Sequence, residues 1–172
     1  MKDMIKKLHF RRALSEDINA ASIILKQAAQ QMLDEGKHQW THSYPTEVHV
    51  RADVERGVGY VLEDDKEIVG YCAVMFDGEP AYNNIEGNWL SYDRYVVVHR
   101  LAVRKDRKGT GLGRIFMETI ENYAKDCDIY SFKIDTNFDN YHMLGLLNKL
   151  GFTYCGEVMY ESGRRKAFEK RL

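Results

Sequence analysis

The chain has 172 residues, of which 44% are hydrophobic and 30% are charged, as in ordinary globular proteins. A chain of this length can bury a core of its own, so we expect one domain over residues 1–172. Its 25 Lys and Arg against 26 Asp and Glu leave a net charge of -1, which excludes a general field that would recruit nucleic acid or a membrane surface.

The three cysteines, Cys72, Cys127 and Cys155, are odd in number and widely spaced, which argues against a disulfide framework and a zinc site. The N-terminal segment is charged and lacks the apolar core of a signal peptide, and no apolar run approaches ~18 residues. We therefore expect a cytoplasmic protein with no bound metal, no nucleic-acid partner and no membrane partner.

In the first half of the chain, hydrophobic periodicity alternates between the helical and the extended type. In chain order the patterns predict a strand at 8–13, a helix from Ile18 that stops at Gly36, a loop over 37–45, a helix at 46–56 capped by Thr46, and strands at 59–62 and 68–75 joined by a turn at 64–66.

In the second half, residues 77–94 are polar and aromatic without a clean period. The patterns after them predict a central strand at 95–103, a helix from Leu112 to Ala124, a strand at 129–135, a helix at 139–150, and a closing hairpin of 152–159 and 165–170 about Gly163. This order predicts an α/β (α+β mixed sheet) fold, with a central mixed sheet flanked by helices on both faces.

The central strand leads directly into a basic, glycine-rich turn that opens a helix. Gly109, Gly111 and Gly113 lack a Cβ, so the backbone can bend sharply and approach a ligand closely. The unpaired N–H groups of a first helical turn favour a pyrophosphate, and cations crowd the same segment. The cations are Arg104, Lys105, Arg107, Lys108 and Arg114. The arrangement predicts a site for a phosphorylated cofactor.

Two familiar phosphate-binding patterns do not fit this turn. A P-loop requires Lys and then Ser or Thr after its last glycine, whereas Arg114 and Ile115 follow Gly113. A dinucleotide fingerprint has the spacing G-x-G-x-x-G near the start of a βαβ unit, whereas the glycines here run G-x-G-x-G past the midpoint of the chain.

Two segments instead resemble motifs of the GCN5-related N-acetyltransferases, the GNAT superfamily. Lys108–Gly113 resembles motif A, Gln/Arg-x-x-Gly-x-Gly/Ala, except that Lys108 replaces Gln or Arg. The strand from Ile134, Asn140 at a helix start and the closing Leu150-Gly151-Phe152 resemble motif B. The order and spacing of the two motifs are those of the family, and the resemblance covers essentially the whole chain.

The resemblance implies a GNAT-like acyl-CoA N-acyltransferase fold, acetyl-CoA (coenzyme A) as cofactor, and acyl transfer to an amine. It implies that the backbone of Leu101–Val103 holds the pantetheine arm and that an N–H near Leu101 polarises the thioester carbonyl. It also implies that Asn140 contacts the cofactor. The alternative for Asn140 is an ordinary helix cap, and both roles can hold together. The implied cofactor-binding residues are Leu101, Ala102, Val103, Lys108, Gly109, Thr110, Gly111, Leu112, Gly113, Arg114 and Asn140.

The acceptor amine must lose a proton, and His99 is our first candidate for the base. By strand alternation His99 would share a face with Leu101 and Val103, and imidazole titrates near pH ~6.5. A buried structural histidine is the alternative. Glu86 and Glu79 are further candidates, as base or as anchor for a cationic acceptor, unless each is simply an exposed loop carboxylate.

The family often places a tyrosine, as proton donor, four residues before the Gly of Leu-Gly-Phe, and that position is Leu147 here. Tyr141, Tyr154 or Tyr160 are possible replacements, among which we take Tyr141 as the catalytic candidate. A thiol titrates near ~8.5, so a dedicated donor for the leaving thiolate can be dispensable.

The aromatic loop before the second helix and the acidic segment before the central strand are the expected sites of acceptor recognition. The candidate residues are Trp40, His42, Tyr44 and Glu79, with the alternative that Trp40 only pins the loop onto the core. We expect a small, cationic primary amine that attacks directly in a ternary complex. A protein or peptide acceptor, or a non-catalytic acyl-CoA sensor, is the alternative, and a homodimer is a possible assembly.

Overall fold

The structure, a computed structural model, describes residues 8–172. These residues fall into two compact units: unit 1 takes the described residues up to Val74 together with His99–Thr119, and unit 2 takes Met75–Val98 together with Ile120–Leu172. A single domain over 1–172 stays a prediction. The expectation that the N-terminus is not a signal peptide concerns residues 1–7, which lie outside the described part.

The elements follow the predicted order along the chain. The helices are α1 (Ile18–Asp34), α2 (Glu47–Glu55), α3 (Leu112–Asp126) and α4 (Tyr141–Lys149), with short 3-10 helices at Ser15–Asp17, Pro80–Asn84 and Lys105–Arg107. The strands are β1 (Leu8–Arg12), β2 (Gly59–Asp64), β3 (Glu67–Met75), β4 (Glu86–Gly87), β5 (Val96–Val103), β6 (Ser131–Thr136), β7 (Thr153–Tyr160) and β8 (Gly163–Arg171). Within residues 8–172, no helix has the length and apolar character that crossing a membrane requires.

Unit 1 arranges its strands in the order β1-β2-β3-β5, and β2 is antiparallel to both β1 and β3. The hairpin between β2 and β3 turns on Asp65 and Lys66, whose φ angles are 51° and 69°. Two left-handed residues in succession give the two-residue turn whose twist matches that of the strands. The predicted turn is therefore confirmed.

Helices cover both faces of the sheet in unit 1. Gly70 and Tyr71 are successive residues of β3, so they face opposite sides of the sheet. The Tyr71 hydroxyl donates to Asp53 of α2 over 2.8 Å, whereas a Cβ built on Gly70 would lie 2.8 Å from the Phe116 ring of α3. This confirms the prediction of helices on both faces. The core on the α1 side includes Ile24, Leu25, Trp40, Val50, Val61 and Ala102.

Unit 2 arranges its strands in the order β5-β6-β8-β7-β4. The start of β5 runs parallel to β6, with Val96 opposite Phe132, whereas β8 is antiparallel to both β6 and β7. Parallel and antiparallel pairs in one sheet confirm the mixed α/β class. At its edge β4 approaches β7 so closely that a Cβ on Gly87 would lie 2.1 Å from the Cys155 carbonyl oxygen.

Two local features depart from the prediction. The segment 77–94 contains the short strand β4 and a 3-10 helix, although its sequence has no period that predicts either. The central strand β5 continues through Arg100, although that residue has a left-handed φ of 55°. The backbone therefore departs here from the regular extended conformation that we expected along residues 95–103.

Candidate active site

The glycine-rich turn opens directly into α3. Gly109 and Gly111 have φ angles of 77° and 85°, a region that side chains with a Cβ rarely adopt. A Cβ built on either residue meets no atom within 4 Å, so the space beside this backbone is open. The turn therefore has the two properties of a phosphate cradle: a left-handed backbone and room for a ligand.

The N-terminus of α3 supplies hydrogen-bond donors at the same place. The helix has 15 residues and begins at Leu112, and Ile115 N–H already donates to the Gly111 carbonyl oxygen over 3.1 Å. The N–H groups of Leu112, Gly113 and Arg114 precede the first intrahelical bond and point toward the positive end of the helix dipole. The donor set fits a pyrophosphate.

Most of the cations in this segment are held by acidic side chains, which the sequence did not indicate. Arg104 contacts Glu67 and Asp106 at 3.1 and 2.7 Å. The remaining pairs are Arg107 with Asp64 and Arg114 with Glu118. The pair of Arg114 and Glu118 is exposed on both sides, and such pairs contribute only ~0–1 kcal/mol, so this guanidinium can exchange its carboxylate for a phosphate at little cost.

Two glutamines of α1 tether the turn from outside. The backbone N–H of Lys105 donates to Gln27 Oε1 over 3.4 Å, and the Lys108 ammonium donates to Gln31 Oε1. Partial burial lowers the pKa of Lys108, with the neighbouring Lys105 acting in the same direction and Glu35 opposing it. The backbone amide of Lys108 donates to the Lys105 carbonyl oxygen over 3.3 Å, so it belongs to the turn itself.

The end of β5 carries the residues expected to hold the pantetheine. Leu101 and Val103 are half-buried, and Ala102 between them packs into the core beside α1. His99 is also half-buried, but the left-handed Arg100 separates it from Leu101. That His99 shares a face with Leu101 and Val103 stays a prediction, and so does its role as base.

Asn140 caps α4, because its Oδ1 accepts a hydrogen bond from the Met143 N–H over 3.3 Å. This confirms the cap, and contact with the cofactor stays a prediction. Leu147 in the same helix is fully buried, so the position at which the family often has a tyrosine is a core position here.

The other catalytic candidates lie in unit 2. Glu86 is exposed in β4, where its carboxylate contacts the guanidinium of Arg164 at 2.7 Å. Tyr141, the first residue of α4, is 71% exposed. Tyr160 donates its hydroxyl hydrogen to Asp135 over 2.8 Å, and burial, with the charge of Asp135, raises its pKa. A hydroxyl held in this way is a poor proton donor to a thiolate.

The acceptor candidates separate into buried and exposed side chains. Trp40 is 7% exposed and packs in the core of unit 1, which is the position expected for a residue that pins the loop. His42 is exposed, and the Tyr44 hydroxyl accepts a hydrogen bond from Arg100 over 3.2 Å. Glu79 caps a 3-10 helix by accepting from the Ala81 N–H over 3.2 Å.

Sequence reasoning missed one buried ion pair beside the expected cofactor strand. The Arg100 guanidinium contacts the Asp53 carboxylate at 2.6 Å, and the side chains are 13% and 3% exposed. A charged residue within an otherwise apolar strand was the available signal. Its partner, in the second helix, has no local pattern that identifies it.

A mixed sheet whose central strand runs through a glycine turn into a helix N-terminus is the architecture of acyl-CoA N-acyltransferases. The sequence model of the Acetyltransferase (GNAT) family matches residues 21–152, and the chain belongs to this family. The predicted family and enzyme class, an N-acetyltransferase that uses acetyl-CoA, are confirmed.

Individual relatives agree with this assignment. A GNAT-family acetyltransferase from Streptococcus agalactiae 2603 has a TM-score of 0.89 and 30% identity, over 96% of this chain and 95% of that chain. A putative acetyltransferase from Salmonella typhimurium, solved with its cofactor acetyl-CoA, shares the fold with a TM-score of 0.62 and 19% identity, over 96% of this chain and 94% of that chain.

A curated relative carries a more specific name. The L-amino acid N-acyltransferase MnaT of Escherichia coli (strain K12) is 31% identical over 100 residues, which are 57% of this chain and 51% of that protein. The match thus spans about half the length of that relative.

Proposed function

We propose that this protein transfers the acetyl group of acetyl-CoA to the primary amine of a small, cationic acceptor, by direct attack in a ternary complex. The observation that carries the proposal is the open, left-handed glycine turn at the N-terminus of α3. The amides from Gly109 to Arg114 would hold the pyrophosphate, and the backbone of Leu101 and Val103 would hold the pantetheine arm.

Acetyl-CoA supplies a thioester whose C–S bond breaks as the amine nitrogen bonds to the carbonyl carbon. The N–H near Leu101 would stabilise the negative charge that develops on the carbonyl oxygen. His99 would take the proton that the amine loses, directly or through water. Glu86 is less suited to this step, because its carboxylate is held in an ion pair with Arg164 at 2.7 Å.

Direct attack is supported by the state of the two buried cysteines, Cys72 and Cys155. Burial raises the pKa of Cys72 and that of Cys155, which keeps both as neutral thiols. A thiol is a much weaker nucleophile than a thiolate, so neither suits an acyl-enzyme. Because position 147 holds a buried leucine, no tyrosine at that position can protonate the departing thiolate of coenzyme A.

The small acceptor is supported by the aromatic loop with Tyr44 and by the carboxylate of Glu79. An L-amino acid is the acceptor class named for the Escherichia coli relative, which makes amino acids the first group to assay. Polyamines and a peptide with a free N-terminus complete the panel. Release of coenzyme A with one small amine, and none with the peptide, is the expected result.

The cradle is tested by the unfolding temperature with and without acetyl-CoA. At a hundredfold its dissociation constant the ligand should stabilise the wild type by ~2.7 kcal/mol, a shift of about 5 °C or more. Gly111→Asp should abolish the shift, because a carboxylate would occupy the open space and repel the pyrophosphate.

Gly36→Asp is the matched control. Gly36 also has a left-handed φ, 72°, and open space around its Cβ position, but it follows α1. A carboxylate there also opposes the negative end of the helix dipole, so this variant should lose at least as much stability as Gly111→Asp and yet keep the full shift. An unshifted wild type, or equal shifts in both variants, would contradict the proposal.

A further inference from the structure

Arg100 adopts an unusual backbone conformation for its position. It lies inside β5 with a φ of 55°, whereas Asp65, Lys66 and Asp128, which also have positive φ, lie in turns. A residue with a Cβ is disfavoured in this region, and where such a residue persists the surroundings must hold it there.

The side chain of Arg100 is held by three hydrogen bonds. Its Nε and Nη2 donate to the two carboxylate oxygens of Asp53 over 2.9 and 2.6 Å, and its Nη1 donates to the Tyr44 hydroxyl over 3.2 Å. A two-pronged contact with a carboxylate fixes the orientation of the guanidinium as well as its position.

Asp53 is itself fixed. It lies in α2 and is 2% exposed, and the Tyr71 hydroxyl donates to its Oδ2 over 2.8 Å. Arg100 thus ties β5 to α2 through Asp53 and to the loop before α2 through Tyr44. All four residues belong to unit 1.

We propose that Asp53 and Arg100 are positioning residues, which hold β5 in its left-handed turn and so aim the backbone of Leu101 at the thioester. A left-handed residue rotates the peptide groups on either side of it, and the next peptide group leads to Leu101. Through Tyr44 the same contact fixes the loop proposed to face the acceptor. This inference rests on the proposed acetyl transfer.

The test separates the backbone turn from the ion pair. Asp53→Asn serves as the background, so that no variant leaves a buried carboxylate without a partner. Two double variants are made in this Asp53→Asn background, one with Arg100→Asn and one with Arg100→Val. Both remove the guanidinium, but asparagine tolerates a left-handed φ, whereas β-branched valine does not. Turnover is measured per folded molecule at saturating acetyl-CoA, with the best acceptor of the panel, and the KM for acetyl-CoA is measured beside it.

We expect kcat of the Arg100→Val protein to fall at least tenfold below that of the Arg100→Asn protein, with a smaller change in KM, since a misaimed N–H weakens transition-state stabilisation. Equal kcat in the two proteins would overturn the inference. Wild-type kcat in Asp53→Asn alone would also overturn it.

A second ion pair of unit 1, with a buried carboxylate and a half-buried guanidinium, provides the control for general loosening. Arg11 forks onto both oxygens of Asp17 at 2.6 and 3.0 Å, and Asp17 is 5% exposed, but the pair lies at β1. Asp17→Asn should lower the unfolding temperature as Asp53→Asn does and leave kcat per folded molecule unchanged. A fall in kcat equal to that of Asp53→Asn would overturn the inference.

A wild type that neither binds acetyl-CoA nor releases coenzyme A would overturn the proposed function and the inference with it.

Discussion

Glu169 shows how one buried side chain fixes a segment that has no regular structure. It lies in β8 with no exposed surface, and its carboxylate accepts from the Leu90 N–H at 2.7 Å and the Ser91 N–H at 3.3 Å. The hydroxyls of Ser91 and Ser131 each donate to its other oxygen over 2.7 Å. Four donors offset the cost of burying the charge, and they hold the segment that leads into β5.

We predict that Glu169→Gln lowers the free energy of unfolding by about 3 kcal/mol, because an amide NH2 would face donors where an oxygen now accepts. Unfolding in urea measures the change. Glu157→Gln is the control, since Glu157 of β7 forms a surface ion pair with Arg164 at 2.9 Å, and it should lose at most about 1 kcal/mol. Equal losses in the two variants would show that the buried contacts of Glu169 contribute nothing special.

The inward positions of β8 explain why sequence reasoning missed this residue. The buried residues alternate as a strand requires, but they are Arg165, Ala167 and Glu169. Hydrophobic patterning assigns charged residues to solvent, and only the partners in space reverse that assignment. The glycine turn was predictable because its chemistry is contiguous in the chain, whereas the donors to Glu169 come from positions up to 79 residues away.

At the scale of elements, periodicity predicted the long helices and strands, because each buries one apolar face against the sheet. It did not predict β4, whose two residues are too few to show a period. It also did not predict the left-handed residue in β5, Arg100, whose side-chain partner Asp53 lies 47 residues away in the sequence. The glycine turn is local in the chain and could be predicted, whereas the long-range contacts around it could not.

Helix α4 offers a test of the two roles of Asn140. Asparagine and aspartate cap helices about equally well, whereas alanine does not cap. We predict that Asn140→Ala lowers the free energy of unfolding by about 1 kcal/mol and that Asn140→Asp leaves it nearly unchanged. If Asn140 also contacts the cofactor, Asn140→Asp should weaken acetyl-CoA binding at least tenfold by loss of the amide donor and by charge repulsion, measured by calorimetry. Wild-type affinity in Asn140→Asp would leave the cap as its sole role.

At the scale of the molecule, both units bury groups that must stay protonated. Burial, reinforced by the charge of Asp53, raises the pKa of Tyr71 and of the Cys72 thiol in unit 1. Burial, reinforced by Asp135, raises the pKa of Tyr82 and Tyr160 in unit 2. In the unfolded chain these groups release their protons near pH ~8.5 for the thiol and ~10 for the phenols.

We therefore predict that the protein loses stability at alkaline pH. Above the unfolded pKa the native state holds more protons than the unfolded state, so the free energy of unfolding falls by up to about 1.4 kcal/mol per group and pH unit until the folded pKa is passed. The decline should begin above pH ~8.5 through Cys72 and Cys155 and steepen above pH ~10 through the three tyrosines. Urea unfolding between pH 7 and 11 measures this decline.

Tyr71→Phe removes one of these titrating protons. The free energy of unfolding of this variant should therefore fall less steeply above pH ~10, by up to about 1.4 kcal/mol per pH unit. A slope equal to that of the wild type would contradict the assignment.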